Sequence, residues 1–277
     1  MNTFDIQEII ARALAEDIGN GDVTTEATVD PDKDGEAVVV AKEDFILAGY
    51  EVFLNVFMSL EPGIEFNVEY LDGDEVEKGA NIITLKGPMR TLLTSERVAL
   101  NLLQRMSGIA TLTAKYVKAI EGTKAAILDT RKTTPGLRTL EKYAVTVGGG
   151  RNHRFGLYDG ILIKDNHIAA AGGITKAVEA ARATAPHMLK IEVECESVKD
   201  VKEALKAGAD VIMLDNMDEK SMAEAVKVIG GKALTEASGN MTLERVRAVA
   251  GTGVDFISVG ALTHSAPAVD ISMRVKG

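Results

Sequence analysis

Apolar positions change their period along the chain, and each change marks a different kind of structure. Ile6, Ile9, Ile10, Ala13 and Leu14 repeat at helical spacing, which predicts an amphipathic helix, and the glycine-rich run Asp17-Ile18-Gly19-Asn20-Gly21-Asp22 ends it. Over residues 36–90 the texture is β-like. Short runs at Ala37–Ala41, Ile64–Tyr70 and Ile82–Lys86 are separated by the turn residues Asp72-Gly73-Asp74 and Lys78-Gly79, with a helix expected near Tyr50–Leu60. A further helix is expected from about Thr94. Its stripe Val98, Leu102, Met106 and Ile109 faces inward, and Arg97, Asn101, Gln104 and Arg105 lie on the polar side.

From about residue 110 the pattern becomes a repeat. Six apolar runs, Ala125–Thr130, Tyr158–Lys164, Met188–Glu194, Asp210–Asp215, Lys232–Glu236 and Asp255–Gly260, each end in polar or small residues. The last three intervals are about 21 residues, room for a strand, a helix and two short loops. Ala207-Gly208-Ala209-Asp210 and Gly251-Thr252-Gly253-Val254-Asp255 place helix-ending glycines just before strands. Strand–helix alternation demands a parallel sheet, and six short units favour a barrel or partial barrel over a doubly wound sheet. The expected division is an N-terminal α/β domain over 1–109, with 268–277 packing on it, and a barrel over 110–267. In such barrels the chemistry lies at the C-terminal strand ends.

Composition narrows the partners. With 46% hydrophobic and only 4% aromatic residues, and no Trp, the core must be aliphatic. A net charge of −10 argues against a nucleic-acid binder held by a global positive field, so any anionic ligand needs a local cluster. The single Cys excludes an internal disulfide and fits a reducing, cytoplasmic setting. Met1-Asn2-Thr3-Phe4-Asp5 lacks a basic stretch leading into an apolar run, so no signal peptide is expected. No uninterrupted apolar stretch reaches the roughly 18 residues that a membrane span needs.

A basic cluster does exist. Asp129-Thr130-Arg131-Lys132-Thr133-Thr134-Pro135-Gly136 puts two cations directly after the first strand. There Arg131 can grip a carboxylate through two parallel bonds, and Lys132 supplies a compact charge for phosphate. Arg138, Lys142, Arg151, His153, Arg154 and Lys164 continue the theme: residues 131–167 hold 7 Lys or Arg against 3 Asp or Glu. Gly148-Gly149-Gly150-Arg151-Asn152-His153-Arg154 joins glycines that admit close backbone approach or positive φ to cationic and titratable side chains. It neither matches G-x-G-x-x-G nor follows a strand, so it is not a dinucleotide fingerprint. Alternation puts Lys164 with Leu162 on one face of the second strand, where it serves as a ligand-binding charge or as a Schiff-base lysine.

The remaining strand ends complement the cations. Glu192 and Glu194 share a face of the third strand, Cys195 points the other way as a structural thiol, and Asp215 ends the fourth. One carboxylate at each of two neighbouring strand ends suits Mg²⁺ held against a diphosphate, offsets a developing oxocarbenium, or pairs with Lys164 or Arg131. Glu236-Ala237-Ser238-Gly239-Asn240 and Ser258-Val259-Gly260-Ala261 end in small residues whose N–H groups suit a phosphate, the habitual role of the last two loops of a barrel.

Taken in order, Glu16–Thr25, Ser95–Ala110, Asp129–Arg138, Gly148–Arg154, Leu162–His167, Met213–Asn216, Glu236–Gly239 and Ser258–Pro267 closely resemble the quinolinate phosphoribosyltransferase family over nearly the whole chain. The resemblance implies condensation of quinolinate with phosphoribosyl pyrophosphate, with Mg²⁺, to give nicotinate mononucleotide, pyrophosphate and CO₂. It implies an N-terminal α/β domain plus an open α/β barrel, in a homodimer or larger assembly whose subunits share active sites, with no nucleic-acid or membrane partner. By motif, Arg131, Arg154 and Lys164 would bind the two quinolinate carboxylates, aided by His153 and by Arg97 from the partner chain. Lys132, Glu194 and Asp215 would be catalytic, handling ribose, pyrophosphate and metal. Ser238, Gly239, Asn240, Gly260 and Ala261 would cradle the 5′-phosphate, and Thr130 and Val259 are further substrate-binding candidates. Asn240 departs from the family's usual glycine. Three alternatives stand beside this one. They are a paralogous phosphoribosyltransferase of a molybdenum-transport operon, a class I aldolase using Lys164, and a lipoyl-type carrier built on the Asp72–Lys86 hairpin.

Overall fold

The computed structural model describes residues 3–276; Met1, Asn2 and Gly277 lie outside the described residues, so part of the expected leader-free N-terminus and the last residue of 268–277 do too. In chain order the first elements are α1 (Thr3–Ile18), α2 (Val23–Thr28), β1 (Asp34–Ala41), β2 (Phe45–Ile46), α3 (Tyr50–Leu60), β3 (Glu65–Val68), β4 (Glu75–Val76), β5 (Asn81–Pro88) and α4 (Met89–Ala119). Next come β6 (Ala126–Leu128), α5 (Arg138–Val147), β7 (Ile161–Ile163), α6 (Asp165–Ala171), α7 (Ile174–Thr184), β8 (Ile191–Cys195) and α8 (Val198–Ala207). The chain finishes with β9 (Val211–Asp215), α9 (Glu219–Ile229), β10 (Leu234–Ser238), α10 (Leu243–Gly251), β11 (Phe256–Ser258), α11 (Ala261–His264) and β12 (Ile271–Lys276). The chain divides into two compact units. One comprises Met1–Ala114, Thr133–Gly149 and Ser265–Gly277; the other comprises Lys115–Lys132 and Gly150–His264.

The first unit is built on an antiparallel sheet ordered β12-β1-β5-β3, with a separate β2-β4 ribbon. Its core is mostly aliphatic, as the composition demands; Phe45, Phe53 and Phe57 are buried in it as well, the last two with ring centroids 5.1 Å apart on α3. Asp22 ends the glycine-rich loop by capping α2: its carboxylate accepts the Thr25 N–H at 3.0 Å and the Thr25 hydroxyl at 2.6 Å. These bonds to the ionised form hold its carboxyl below the usual range.

The second unit carries six parallel strands in the order β6-β11-β10-β9-β8-β7. No ladder joins β6 to β7 among the described residues; a single parallel bridge, Leu128 to Arg151, lies beside β6 instead. This is an open barrel. Each helix of the regular βα units begins and ends as its sequence dictates. Ser197, Asp218 and Thr242 cap α8, α9 and α10 through their side chains, and Gly208 and Gly230 close α8 and α9 at positive φ.

Several boundaries differ from the periodic reading. The helix expected from Thr94 starts at Met89, because Leu92 and Met89 extend its buried stripe directly out of β5. It continues unbroken to Ala119, across residues 109–110, and α5 is grouped with the first unit. The second strand begins at Ile161, not Tyr158. Asp159 folds the preceding segment into a turn by accepting the Phe155 and Gly156 N–H groups, leaving Tyr158 76% exposed. Met188 and Lys232 likewise fall outside their strands, and β10 begins at Leu234. The Gly148-Gly149-Gly150 run follows directly on α5. Gly148 closes α5 against α4, where an added Cβ would lie 2.4 Å from the Ala110 carbonyl oxygen.

Glu141 on α5 is fully buried and is held from three sides. One oxygen accepts Arg105 Nε at 3.1 Å and Nη2 at 2.9 Å, and the other accepts the Thr134 N–H at 3.0 Å. Removing it takes the carboxylate from a partly buried guanidinium, whose Nη1 still donates to the Ala266 carbonyl at 2.8 Å. Glu141→Ala is expected to cost about 3–5 kcal/mol, read from urea unfolding. A loss under about 1 kcal/mol would mean that this pair behaves like an exposed one.

Candidate active site

The strand ends of the open barrel enclose a cavity of about 720 Å³ lined entirely by the second unit. It collects the residues singled out by pattern: Thr130, Arg131 and Lys132 after β6, His153 and Arg154, Lys164 after β7, Glu194 from β8 and Asp215 from β9. Ser238, Gly239 and Asn240 at the end of β10, and Gly260 and Ala261 after β11, close the far side. Val259 is buried and donates its N–H to Leu128 at 2.9 Å, so it braces the last loop from behind rather than lining the cavity. Arg97 is exposed on α4 and is not among the lining residues; neither are Arg138, Lys142 and Arg151.

The cations are individually fixed. Lys164 Nζ lies 2.6 Å from Glu194 Oε2, so the lysine is held by a carboxylate that an incoming anion can replace. Arg154 donates to the Gly160 carbonyl at 3.0 Å; burial, and then the charge of Arg131, lowers its pKa. Lys132 is positioned through its backbone. Its N–H donates to Thr130 Oγ1 at 3.0 Å and its carbonyl accepts from the Thr263 hydroxyl at 2.9 Å. Cys195 points away among apolar side chains, and burial pushes its thiol up to about 12, which suits a structural role.

Beneath the cations lies an acidic floor. His153 Nε2 is 3.0 Å from Glu192 Oε2 and 3.6 Å from Glu236 Oε2, and both glutamates are buried. Burial first, and then the charge of Glu192, pushes the Glu236 carboxyl well above the ordinary range. Donor atoms of these three residues lie within 4.8 Å of one another, close enough to ligate one metal ion. The imidazole argues otherwise. Its Nδ1 accepts the Arg154 N–H at 2.8 Å, which leaves the ring proton on Nε2, the nitrogen a metal would need. The geometry is that of a hydrogen-bonded cluster rather than of a metal site.

The loop after β10 turns on residues at positive φ. Gly239 sits at φ +89°, and a Cβ there would come within 2.1 Å of Asn216 Oδ1. Asn240 is at φ +50° and Asn216 at φ +53°, the left-handed region that asparagine tolerates best after glycine. The departure from glycine at 240 therefore leaves the loop's path intact. Asn216, Met241, Thr242 and His264 also line the cavity and were not singled out in the sequence. Only Asn216 carried a signal, as a strand-end Asn beside Asp215. Lys78, the candidate carrier lysine, lies between β4 and β5 with its N–H bound to Asp44.

The sequence matches the family described as quinolinate phosphoribosyl transferase, through its N-terminal domain over residues 22–107 and its C-terminal domain over 109–274. A relative from Bacillus subtilis (strain 168), named probable nicotinate-nucleotide pyrophosphorylase (carboxylating), is 48% identical over 275 residues, covering 99% of this chain and 95% of that one. A chloroplastic nicotinate-nucleotide pyrophosphorylase (carboxylating) of Arabidopsis thaliana is 45% identical, over 99% of this chain and 83% of its own. The crystal structure of NadC from Streptococcus pyogenes superposes with a TM-score of 0.96 at 44% identity, covering 100% of this chain and 98% of that one. No helix among the described residues is long and apolar enough to cross a membrane.

Gly239 and Asn240 make unequal demands. Gly239→Ala combines positive φ with a collision against Asn216 and should lower stability by about 1–3 kcal/mol. Asn240→Gly should stay within about 0.5 kcal/mol of the parent. Thermal melting of the two variants checks the order, and equal losses would contradict it.

Proposed function

We infer that this chain, which belongs to the quinolinate phosphoribosyl transferase family, transfers the phosphoribosyl group of phosphoribosyl pyrophosphate to quinolinate, releasing nicotinate mononucleotide, CO₂ and pyrophosphate in NAD biosynthesis. The observation that carries this reading is the cavity itself. One barrel mouth presents a basic rim for a dicarboxylate, a small-residue loop for a phosphate, and carboxylates between them. The molybdenum-operon and aldolase alternatives are not favoured: relatives across the full length carry the pyrophosphorylase name, and Lys164 is engaged by Glu194 as a charged group.

The division of labour follows from geometry and charge. Arg131 and Arg154 grip the quinolinate carboxylates through planar forks, with His153 beside them, and Lys164 exchanges its Glu194 partner for substrate. Ser238, Gly239, Asn240, Gly260 and Ala261 receive the 5′-phosphate, Lys132 the departing diphosphate, and Asp215 the ribose. As the C1′–O bond to pyrophosphate breaks, Glu194 and Asp215 offset positive charge on the sugar while the ring nitrogen bonds C1′. These two carboxylates also fit Mg²⁺. They offer hard oxygen donors at adjacent strand ends, as an ion that keeps water and diphosphate in its shell requires. Bound there, Mg²⁺ would neutralise the diphosphate. A cytoplasmic setting suits a chain whose one thiol is unpaired. Release of ¹⁴CO₂ from carboxyl-labelled quinolinate, strictly dependent on phosphoribosyl pyrophosphate, tests the reading; wild-type protein that releases none would sink it.

We also place Arg97 in the active site of a partner subunit in a homodimer. In support, it is an exposed cation on the polar side of α4, and it lines no part of the cavity of its own chain. Two inactive variants, Arg97→Ala and Lys132→Ala, should complement each other on mixing. Random exchange makes about half the dimers mixed, each with one intact site, so about a quarter of parental activity returns. If Arg97 acts within its own chain, no activity returns however long the subunits exchange.

A further inference from the structure

The proposed reaction consumes a proton at a defined atom, and the floor of the cavity holds one. When the C2–carboxylate bond of the ribosylated pyridine breaks, CO₂ leaves and the bonding pair stays on C2 beside the cationic ring nitrogen. We propose that Glu236 is held as a carboxylic acid on the cavity floor and donates the proton that quenches this C2 carbanion, so that it is a further catalytic residue of the reaction assigned above, on which this inference rests.

Four observations converge on Glu236. It lines the cavity although the residue is only 2% exposed, so its carboxyl is shielded from bulk water but open to a bound ligand. A carboxyl oxygen of Glu236, one of Glu192 and a ring nitrogen of His153 all lie within 4.8 Å of one another, and two bare carboxylates buried that close repel unless one carries a proton. Glu192 Oε2 faces His153 Nε2 at 3.0 Å against 3.6 Å for Glu236 Oε2, which leaves Glu236 as the one that carries the proton. Finally, Glu236 Oε1 and Glu192 Oε1 are buried and have no hydrogen-bond partner among the described residues, an arrangement suited to one acid and unsuited to two bare carboxylates. Burial and the Glu192 charge raise the Glu236 pKa in the direction this requires.

Other donors at the cavity are less well placed. Lys164 directs its ammonium at Glu194, and both ring nitrogens of His153 are engaged, Nε2 by Glu192 and Nδ1 by the Arg154 backbone. Arg131 and Arg154 bind their protons too tightly to give them up. Donation leaves Glu236 as a carboxylate; water that enters when product departs restores the proton, so each turnover takes up one proton from solvent.

Glu236→Gln tests this cleanly, because an amide is neutral like the acid and its N–H can still donate to Glu192. The fold and quinolinate affinity, measured by melting and calorimetric titration, should be retained within about threefold, while ¹⁴CO₂ release from quinolinate falls by about 10²-fold or more. Glu236→Asp should restore part of the rate. A Gln variant turning over within about threefold of the parent would overturn the proposal. So would loss of quinolinate affinity in parallel with rate, which would make Glu236 a shaping group of the floor. Parent enzyme that releases no CO₂ at all would instead defeat the functional reading, so the two failures are separable.

Discussion

A basic pocket in an acidic chain depends on what lies beneath it. Arg131 and Arg154 are near enough for one to depress the other's pKa, and Lys164 shares the same mouth. Without compensation, like charges at such spacing repel by several kcal/mol in a partly desolvated site, roughly 4 at 4 Å for an effective dielectric near 20. Glu192 and Glu194 remove that difficulty from below, and His153 couples the two layers by touching a floor carboxylate with Nε2 and the Arg154 backbone with Nδ1. The cations are therefore assembled before any ligand arrives.

Much of this was legible in the sequence because barrel topology converts strand ends into neighbours. Once six apolar runs were assigned to parallel strands, Arg131, Lys164, Glu194 and Asp215 had to face one mouth, whatever the details of the loops. The helices were equally readable where side chains set their own limits, as at Ser197, Asp218 and Gly208. What escaped the sequence was set by tertiary partners. Glu236 reads as an ordinary polar residue in a strand; only its burial against Glu192 gives it unusual chemistry. Of the two uses open to the triple glycine, Gly149 takes positive φ, and Gly148 makes a close approach to the helix at Ala110, a partner that local sequence cannot distinguish from a ligand. Apolar letters overran the strands at Tyr158 and Met188 because exposed hydrophobics at strand entrances are indistinguishable by period alone.

The path of the sheet in the first unit has a consequence for how the protein is made. β1 pairs along one edge with β5, but its other edge is covered by β12, from Glu36 opposite Lys276 to Ala41 opposite Ile271. A ribosome makes β12 after every strand of the barrel. Throughout synthesis the run Val38-Val39-Val40 therefore presents an unpaired, β-prone edge, while every strand of the barrel has already emerged. The barrel can thus close its own ladders before the N-terminal sheet is complete, and the earliest-made strand is the last to be protected. Stalled or truncated chains would be the aggregation-prone ones, with Val38–Val40 as the point of cross-pairing.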